Sequence, residues 1–115
     1  MGKLFLSHPL NRTLEDELNE ARQAQAAGDL GRARTCARRA AGMAMQTTIG
    51  IGPGVGAYGR TFIDGLRRLA TDTNFPENVR EAAARLIDRA DKDRHSASQN
   101  PVEEAEVIIE FLRRY

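Results

Sequence analysis

Apolar residues recur at the spacing of an α-helix in five separate segments of the chain, and this periodicity is the strongest constraint on its fold. In the first segment Leu14, Leu18, Ala21 and Gln25 fall on one stripe. No segment alternates apolar and polar residues as a half-buried strand does. We therefore predict an all-α protein, an antiparallel bundle of four or five helices. The bundle forms a single domain over residues 13–115 and follows an N-terminal arm over residues 1–12.

The junctions between these segments carry residues that commonly end and begin helices. Gly28 and Asp29 end the first helix and cap the second. Pro76 suits the first position of the fourth helix, and Asn100 followed by Pro101 opens the fifth. The face of the second helix is mostly alanine, which predicts close packing of its neighbours. The residues predicted to face the core from helices two to five are Leu30, Ala33, Ala37, Ala40, Ala41, Ala44, Val55, Tyr58, Phe62, Ile63, Leu66, Leu69, Ala70, Val79, Ala82, Ala83, Leu86, Ile87, Ala90, Val102, Ala105, Ile108, Ile109, Leu112 and Tyr115.

A glycine-rich stretch over residues 47–56 interrupts the helical pattern and predicts a loop. At its end Gly54, Gly56 and Gly59 match the G-x-G-x-x-G string of dinucleotide-binding turns. That motif functions after a strand in a parallel βαβ unit, whereas a helical pattern precedes it here. A glycine-rich helix start can still hold an anion on its backbone amides. A phosphate cradle is therefore the alternative to the plain loop, which we favour.

The composition argues against several classes of function. Lys+Arg total 17 against 16 Asp+Glu, so the net charge of +1 gives no general attraction to nucleic acid or to an acidic membrane, and we expect no reader of DNA grooves. The single cysteine, Cys36, can form neither an internal disulfide nor a zinc cluster, and we expect it to be buried. No signal peptide or membrane span is recognisable. We expect a cytoplasmic protein without a metal ion or a cofactor.

A polar segment between the fourth and fifth helical patterns carries the residue types that could perform chemistry. His95 is a side chain that titrates near neutral pH, and Arg89 and Arg94 lie close to it in sequence. On a phosphodiester, Arg89 could stabilise charge that builds on the phosphoryl oxygens while His95 moved a proton. The alternative is a solvated, charged loop that joins two helices.

Several strings follow one another in an order that is typical of a known family. They are Arg-Arg-Ala-Ala-Gly-Met-Ala at the end of the first hairpin, Leu66-Arg67-Arg68-Leu69, Ala84-Arg85-Leu86-Ile87-Asp88, Arg94-His95, and Pro101-Val102-Glu103-Glu104-Ala105-Glu106 through Ile109-Glu110-Phe111-Leu112. Over residues 13–113 the chain resembles the HEPN family (higher eukaryote and prokaryote nucleotide-binding domain). The resemblance implies a HEPN-like bundle of four or five helices that commonly forms a homodimer.

For many members the resemblance also implies metal-independent RNA cleavage by an arginine and a histidine. About four to six residues separate the two in that motif, a spacing that Arg89 and His95 satisfy. Other members bind nucleotides or pair with a minimal nucleotidyltransferase in toxin–antitoxin or defence systems. This chain departs from the catalytic pattern at Ala90, where a polar residue is common. Arg94-His95-Ser96 also lies where a mostly non-catalytic branch has Arg-Tyr-Pro.

Three hypotheses follow for the function. We favour a dimeric helical-bundle binding and interaction protein, with a nucleotide or RNA site formed by Arg85, Arg89, Arg94 and His95. A metal-independent endoribonuclease of toxin or defence type, with Arg89 and His95 as catalytic residues, is the alternative. A structural adaptor without a ligand is the third. The near-zero net charge favours the first hypothesis because a nuclease that grips many phosphates usually carries a wide basic stripe.

Overall fold

Helices account for the regular structure of the residues that the computed structural model describes, which are 12–50, 57–88 and 99–115. In chain order they are α1 (Leu14–Ala26), α2 (Leu30–Thr48), α3 (Phe62–Thr71), α4 (Glu77–Ile87) and α5 (Pro101–Arg114). These described ranges contain no strand. The predicted all-α, antiparallel helical bundle is therefore confirmed.

The first two helices form a hairpin whose caps follow the sequence signals. Thr13 caps α1 through a capping box with Asp16, in which each side chain bonds the other residue's backbone amide, at 3.1 and 3.0 Å. Asp29 caps α2 by accepting the amide hydrogen of Arg32 at 3.2 Å. Gly28 between the two helices has a φ of 85°, a conformation that suits glycine. The predicted boundary at Gly28 and Asp29 is confirmed.

Helix α3 begins later than the sequence predicted. We expected Tyr58 to lie on its helical stripe behind Val55, but the helix starts at Phe62 and Tyr58 precedes it as a buried, non-helical residue. Val55 itself lies outside the described residues. Thr61 is the N-cap, and its hydroxyl accepts the amide hydrogen of Asp64 at 3.0 Å.

A close backbone approach explains this later start. Gly59 lies so near Gly65 that a Cβ on residue 59 would come within 2.8 Å of the nitrogen of residue 65. In one continuous helix these two residues would be separated by about 9 Å along the axis. The chain must therefore turn before α3. Residue 59 must be glycine because a side chain there would clash with the backbone of α3.

Helix α4 differs from the prediction at both of its ends. Pro76 is the N-cap rather than the first helical residue. We expected the helix to reach Ala90, which lies outside the described residues, but it ends at Ile87. The carbonyl oxygen of Leu86 accepts a hydrogen bond from Nε of Arg38 at 2.5 Å. This bond replaces the amide four residues later that a continuing helix would supply.

Helix α2 lies at the centre of the bundle and contacts the four other helices. Its alanine face is buried as predicted, and Gly42 on the same helix allows Phe62 of α3 to approach closely. Cys36 is buried, which confirms the expectation for the thiol. Tyr115 was expected in the core, but 69% of it is exposed. The predicted core residues found in the buried cluster are Leu18, Ala21, Ala37, Ala40, Ala41, Ala44, Tyr58, Leu66, Leu69, Val79, Ala82, Ala83, Leu86, Val102, Ala105, Ile108, Ile109 and Leu112.

Candidate functional site

A bidentate ion pair joins the end of α4 to the start of α5. Nε and Nη2 of Arg85 donate to Oε2 and Oε1 of Glu104, at 2.5 and 3.1 Å. The hydrogen bond to Glu104 raises the pKa of Arg85 despite partial burial. Two parallel bonds fix the orientation of the groups as well as their distance. The pair therefore links the last turn of α4 to the first turn of α5.

Two further side chains, one on α2 and one on α1, form hydrogen bonds to the ends of these helices. Arg38 of α2 closes α4 by its bond to the carbonyl of Leu86, as described above. Oε1 of Gln25, on α1, accepts the amide hydrogen of Val102 at 3.1 Å. Because Pro101 has no amide hydrogen, Val102 is the first residue of α5 that can donate one. Gln25 therefore satisfies a donor that the helix leaves open.

These contacts come from different helices and converge on one end of the bundle, which we call the α4–α5 end and define by Gln25, Arg38, Arg85, Leu86 and Glu104. Together they fix where the chain leaves α4 and where it enters α5. The polar 89–98 segment connects those two points in the sequence.

The predicted site residues are only partly within the described structure. Arg85 lies at the α4–α5 end, bonded to Glu104. Arg89, Arg94 and His95 lie outside the described residues, so their predicted roles in binding and catalysis stay predictions.

The glycine-rich motif is described only in its last part, since residues 51–56 are outside the described ranges. The hydroxyl of Tyr58 donates to Asp72 at 2.6 Å, and Nη1 of Arg68 donates to the carbonyl oxygen of Tyr58 at 2.9 Å. Burial raises the pKa of Tyr58, and the bond from Tyr58 lowers the pKa of Asp72. Gly59 faces the backbone of Gly65 rather than an open space. These contacts fasten the end of the motif to α3 and add no argument for a phosphate cradle.

A second cluster of charges lies between α1 and α2. Glu17 is buried, with 3% of the residue exposed, and its Oε2 accepts a bond from Nε of Arg12 at 3.0 Å. Glu20 bonds both Arg12 and Arg32. Oε1 of Glu17 has no hydrogen-bond partner in the described structure, and Nη1 of Arg39 is 3.9 Å from it. The carboxylates and guanidiniums of this cluster alternate and largely neutralise one another.

The comparisons with known proteins add no constraint. No protein-family model, curated protein or solved structure matches the chain. The HEPN resemblance therefore stays a prediction. In the described part of the chain, no helix is long and apolar enough to cross a membrane, and no group of three or more His, Cys, Asp or Glu side chains is placed to hold a metal ion.

Sequence reasoning missed the side chains that shape the α4–α5 end. Gln25 was assigned to the apolar stripe of α1, although its amide is polar and pairs with α5. A lone amide on an otherwise apolar stripe is a usable signal, since a polar group that faces the core needs a partner. Arg38 and Glu104 gave no comparable signal because their partners lie far away in the sequence.

Proposed function

We propose that this protein is a helical-bundle binding and interaction protein whose ligand site lies at the α4–α5 end. The ligand is a ribonucleotide, either free or within a short RNA segment. Arg89, Arg94 and His95 contact its phosphate and base, and Arg85 supports them from α4. This function needs no metal ion.

One observation carries the proposal: Arg38 bonds the last turn of α4, Gln25 bonds the first turn of α5, and the Arg85–Glu104 pair joins these two helix ends. Fixed helix ends reduce the conformational entropy that binding at this end of the bundle costs. Such anchoring supports a binding role for a segment that is rich in charged side chains.

The charge of the chain limits the size of the ligand. The 89–98 segment holds Arg89, Lys92 and Arg94 against two aspartates, and the whole chain has a net charge of +1. Affinity for a long nucleic acid comes mainly from many Lys and Arg side chains that neutralise its phosphates. The proposal therefore favours a nucleotide or a few nucleotides of RNA over a long duplex.

The HEPN resemblance is the basis for two further parts of the proposal, a homodimer and a protein partner. Members of that family commonly form homodimers, and some pair with a minimal nucleotidyltransferase in toxin–antitoxin or defence systems. Sedimentation velocity at several protein concentrations measures the first property directly. A concentration-independent monomer would remove the dimer from the proposal and leave the ligand site standing.

Binding of labelled ligands tests the site. Fluorescence anisotropy at low salt would be measured with a fluorescent adenine nucleotide and with a short single-stranded RNA. We expect the double variant Arg89→Ala, Arg94→Ala to weaken binding by about tenfold or more, since each phosphate contact with an arginine is charge-assisted. The matched control is Arg67→Ala, because Arg67 is exposed on α3 and pairs only with the nearby Asp64 in the described structure. Equal loss in both variants, or no binding by the wild type, contradicts the proposal.

The alternative function is a metal-independent endoribonuclease, and a cleavage assay distinguishes it from the proposed binding function. RNA is incubated with the wild type and with His95→Ala in the presence of a chelator. Cleavage by the wild type that the variant loses would make His95 catalytic and the protein an enzyme. We expect neither protein to cleave the RNA, and we expect His95→Ala to weaken binding.

A further inference from the structure

A small apolar pocket lies at the end of the bundle where α1 begins and where α2 and α5 end. Its volume is about 160 Å³, and Ala44, Ile109 and Leu112 form its floor. All three are buried, whereas Leu14, the first residue of α1, lines the pocket and is only partly buried. The described residues therefore leave part of the core open to the surface at this end.

The rim of the pocket is polar, but its charge is neutralised by neighbouring residues. Thr47 and Thr48 on α2 and Arg113 on α5 form this rim, and they are exposed. Nη2 of Arg113 lies 3.0 Å from Glu15, and Nη1 lies 3.4 Å from Glu110. Charge therefore does not select an occupant here. Burial of apolar surface does, and it favours a side chain without polar atoms.

The volume of the pocket corresponds to one aromatic ring. An apolar cavity of about 150 Å³ accommodates a benzene molecule. A phenylalanine ring is of that size, and it has no polar atom that would lose its hydration in the pocket. A phenylalanine from a segment near the mouth of the pocket is therefore the expected occupant.

The sequence before the described structure supplies such a side chain. Residues 1–11 contain three consecutive large apolar residues, Leu4, Phe5 and Leu6. A run of this kind is unfavourable in water and gains free energy when an apolar surface covers it. Phe5 is the single Phe, Tyr or Trp in this range. Its ring is therefore the one that matches the pocket.

The start of α1 brings this run within reach of the pocket. Arg12 bonds Glu17 at 3.0 Å and Thr13 caps the helix, so the chain enters α1 at a fixed position. Leu14, which lines the pocket, follows directly. Phe5 precedes Leu14 by nine residues, and an extended chain of that length spans up to about 30 Å. The ring can therefore reach the pocket with chain to spare.

We propose that residues 4–10 fold back over this end of the bundle and that the ring of Phe5 occupies the pocket. The ring contacts Ala44 and Leu112 and completes the core between α1, α2 and α5. Because the segment belongs to the same chain, its effective concentration at the pocket is high, on the order of millimolar. A contact too small to hold a separate protein can therefore hold this segment. The proposal does not depend on the ligand site, since the pocket lies at the end of α5 and the ligand site at its start.

Methyl NMR spectra of the whole chain test the proposal. An aromatic ring shifts the methyl resonances of the side chains that it contacts, so Phe5→Leu should move the signals of Ala44 and Leu112. The matched control is Leu4→Ala, which removes apolar volume from the same run but no ring, and it should shift these two signals much less. The methyl signal of Ala82, buried on α4, serves as a reference that neither variant should move.

Thermal unfolding gives a second readout. Phe5→Ser should lower the Tm by about 4 °C or more, because the pocket loses its apolar occupant. Ala44→Leu fills the pocket from α2, so Phe5→Ser should lower the Tm less in that background than in the wild type. Circular dichroism verifies that each variant is folded.

Three results would overturn the inference. The first is a Phe5→Leu variant in which the signals of Ala44 and Leu112 shift no more than in the control. The second is an equal loss of Tm on Phe5→Ser with and without Ala44→Leu, since the ring would then lie elsewhere. The third is a wild-type dimer, seen by sedimentation velocity, that Phe5→Ser converts to a monomer, because the ring would then occupy the pocket of a second copy.

Discussion

The contact between α2 and α3 depends on the absence of a side chain at Gly42. A methyl group at this position would lie 2.6 Å from Cδ1 and 2.7 Å from Cβ of Phe62. Cβ of Phe62 is bonded directly to the backbone at the first residue of α3, so it cannot move without the helix. Gly42→Ala must therefore push α3 away from α2 or force Phe62 out of its rotamer.

The expected magnitude follows from two opposing effects. Overpacking of this kind costs about 1–3 kcal/mol. Replacing glycine by alanine inside a helix returns about 0.5–1 kcal/mol. We expect Gly42→Ala to lower the free energy of unfolding by about 1–2 kcal/mol. Gly31→Ala is the matched control on the same helix, because the nearest atom to its methyl group would be 3.9 Å away, and it should be neutral or stabilising by up to about 1 kcal/mol.

Thermal and urea unfolding, followed by circular dichroism, measure both variants. For a chain of this size about 1 kcal/mol corresponds to about 4 °C in Tm, so Gly42→Ala should melt about 4–8 °C below the wild type. The double variant Gly42→Ala, Phe62→Ala should show coupling, since the smaller side chain relieves part of the clash. A Gly42→Ala protein that is as stable as Gly31→Ala would refute the described approach of α3 to α2.

Three further predictions concern buried polar groups and the thiol. The bond from Tyr58 lowers the pKa of Asp72. The ionised carboxylate therefore stabilises the fold above about pH 4, and this contribution is lost as the pH falls through the folded-state pKa of Asp72. The difference in Tm between the wild type and Tyr58→Phe should shrink on acidification. Glu17→Ala should lower the free energy of unfolding by about 0.5–1.5 kcal/mol in urea titrations, because it removes the bond from Arg12 to Glu17 while Arg12 keeps its bond to Glu20; an unchanged midpoint would contradict this. Burial raises the pKa of Cys36, so alkylation should be slow in buffer and fast in denaturant.

The fold could be predicted from the sequence because its determinants are local. Helical periodicity defined the core faces, and Thr13 and Asp29 capped helices where such residues usually do. The errors occurred where contacts that helical periodicity does not encode decided the outcome. Arg38 from α2 ends α4 at its C-terminal turn, and the passage of Gly59 over Gly65 delays the start of α3.

The sequence predicted which polar residues form the candidate site, but it did not predict the contacts that surround them. The spacing of Arg89 and His95 predicted a site near Arg85. The contacts that organise this end of the bundle, however, join residues that are 19 to 77 positions apart in the sequence.

Backbone amide chemical shifts during a nucleotide titration test the central claim most directly. The ¹H–¹⁵N spectrum of the wild type would be recorded at low salt with increasing adenine nucleotide. We expect the shifts to concentrate in residues 85–104, at the end of α4 and the start of α5, and to leave residues 107–114 unchanged. An unaltered spectrum, or shifts centred on the hairpin of α1 and α2, would contradict the assignment of the α4–α5 end as the ligand site.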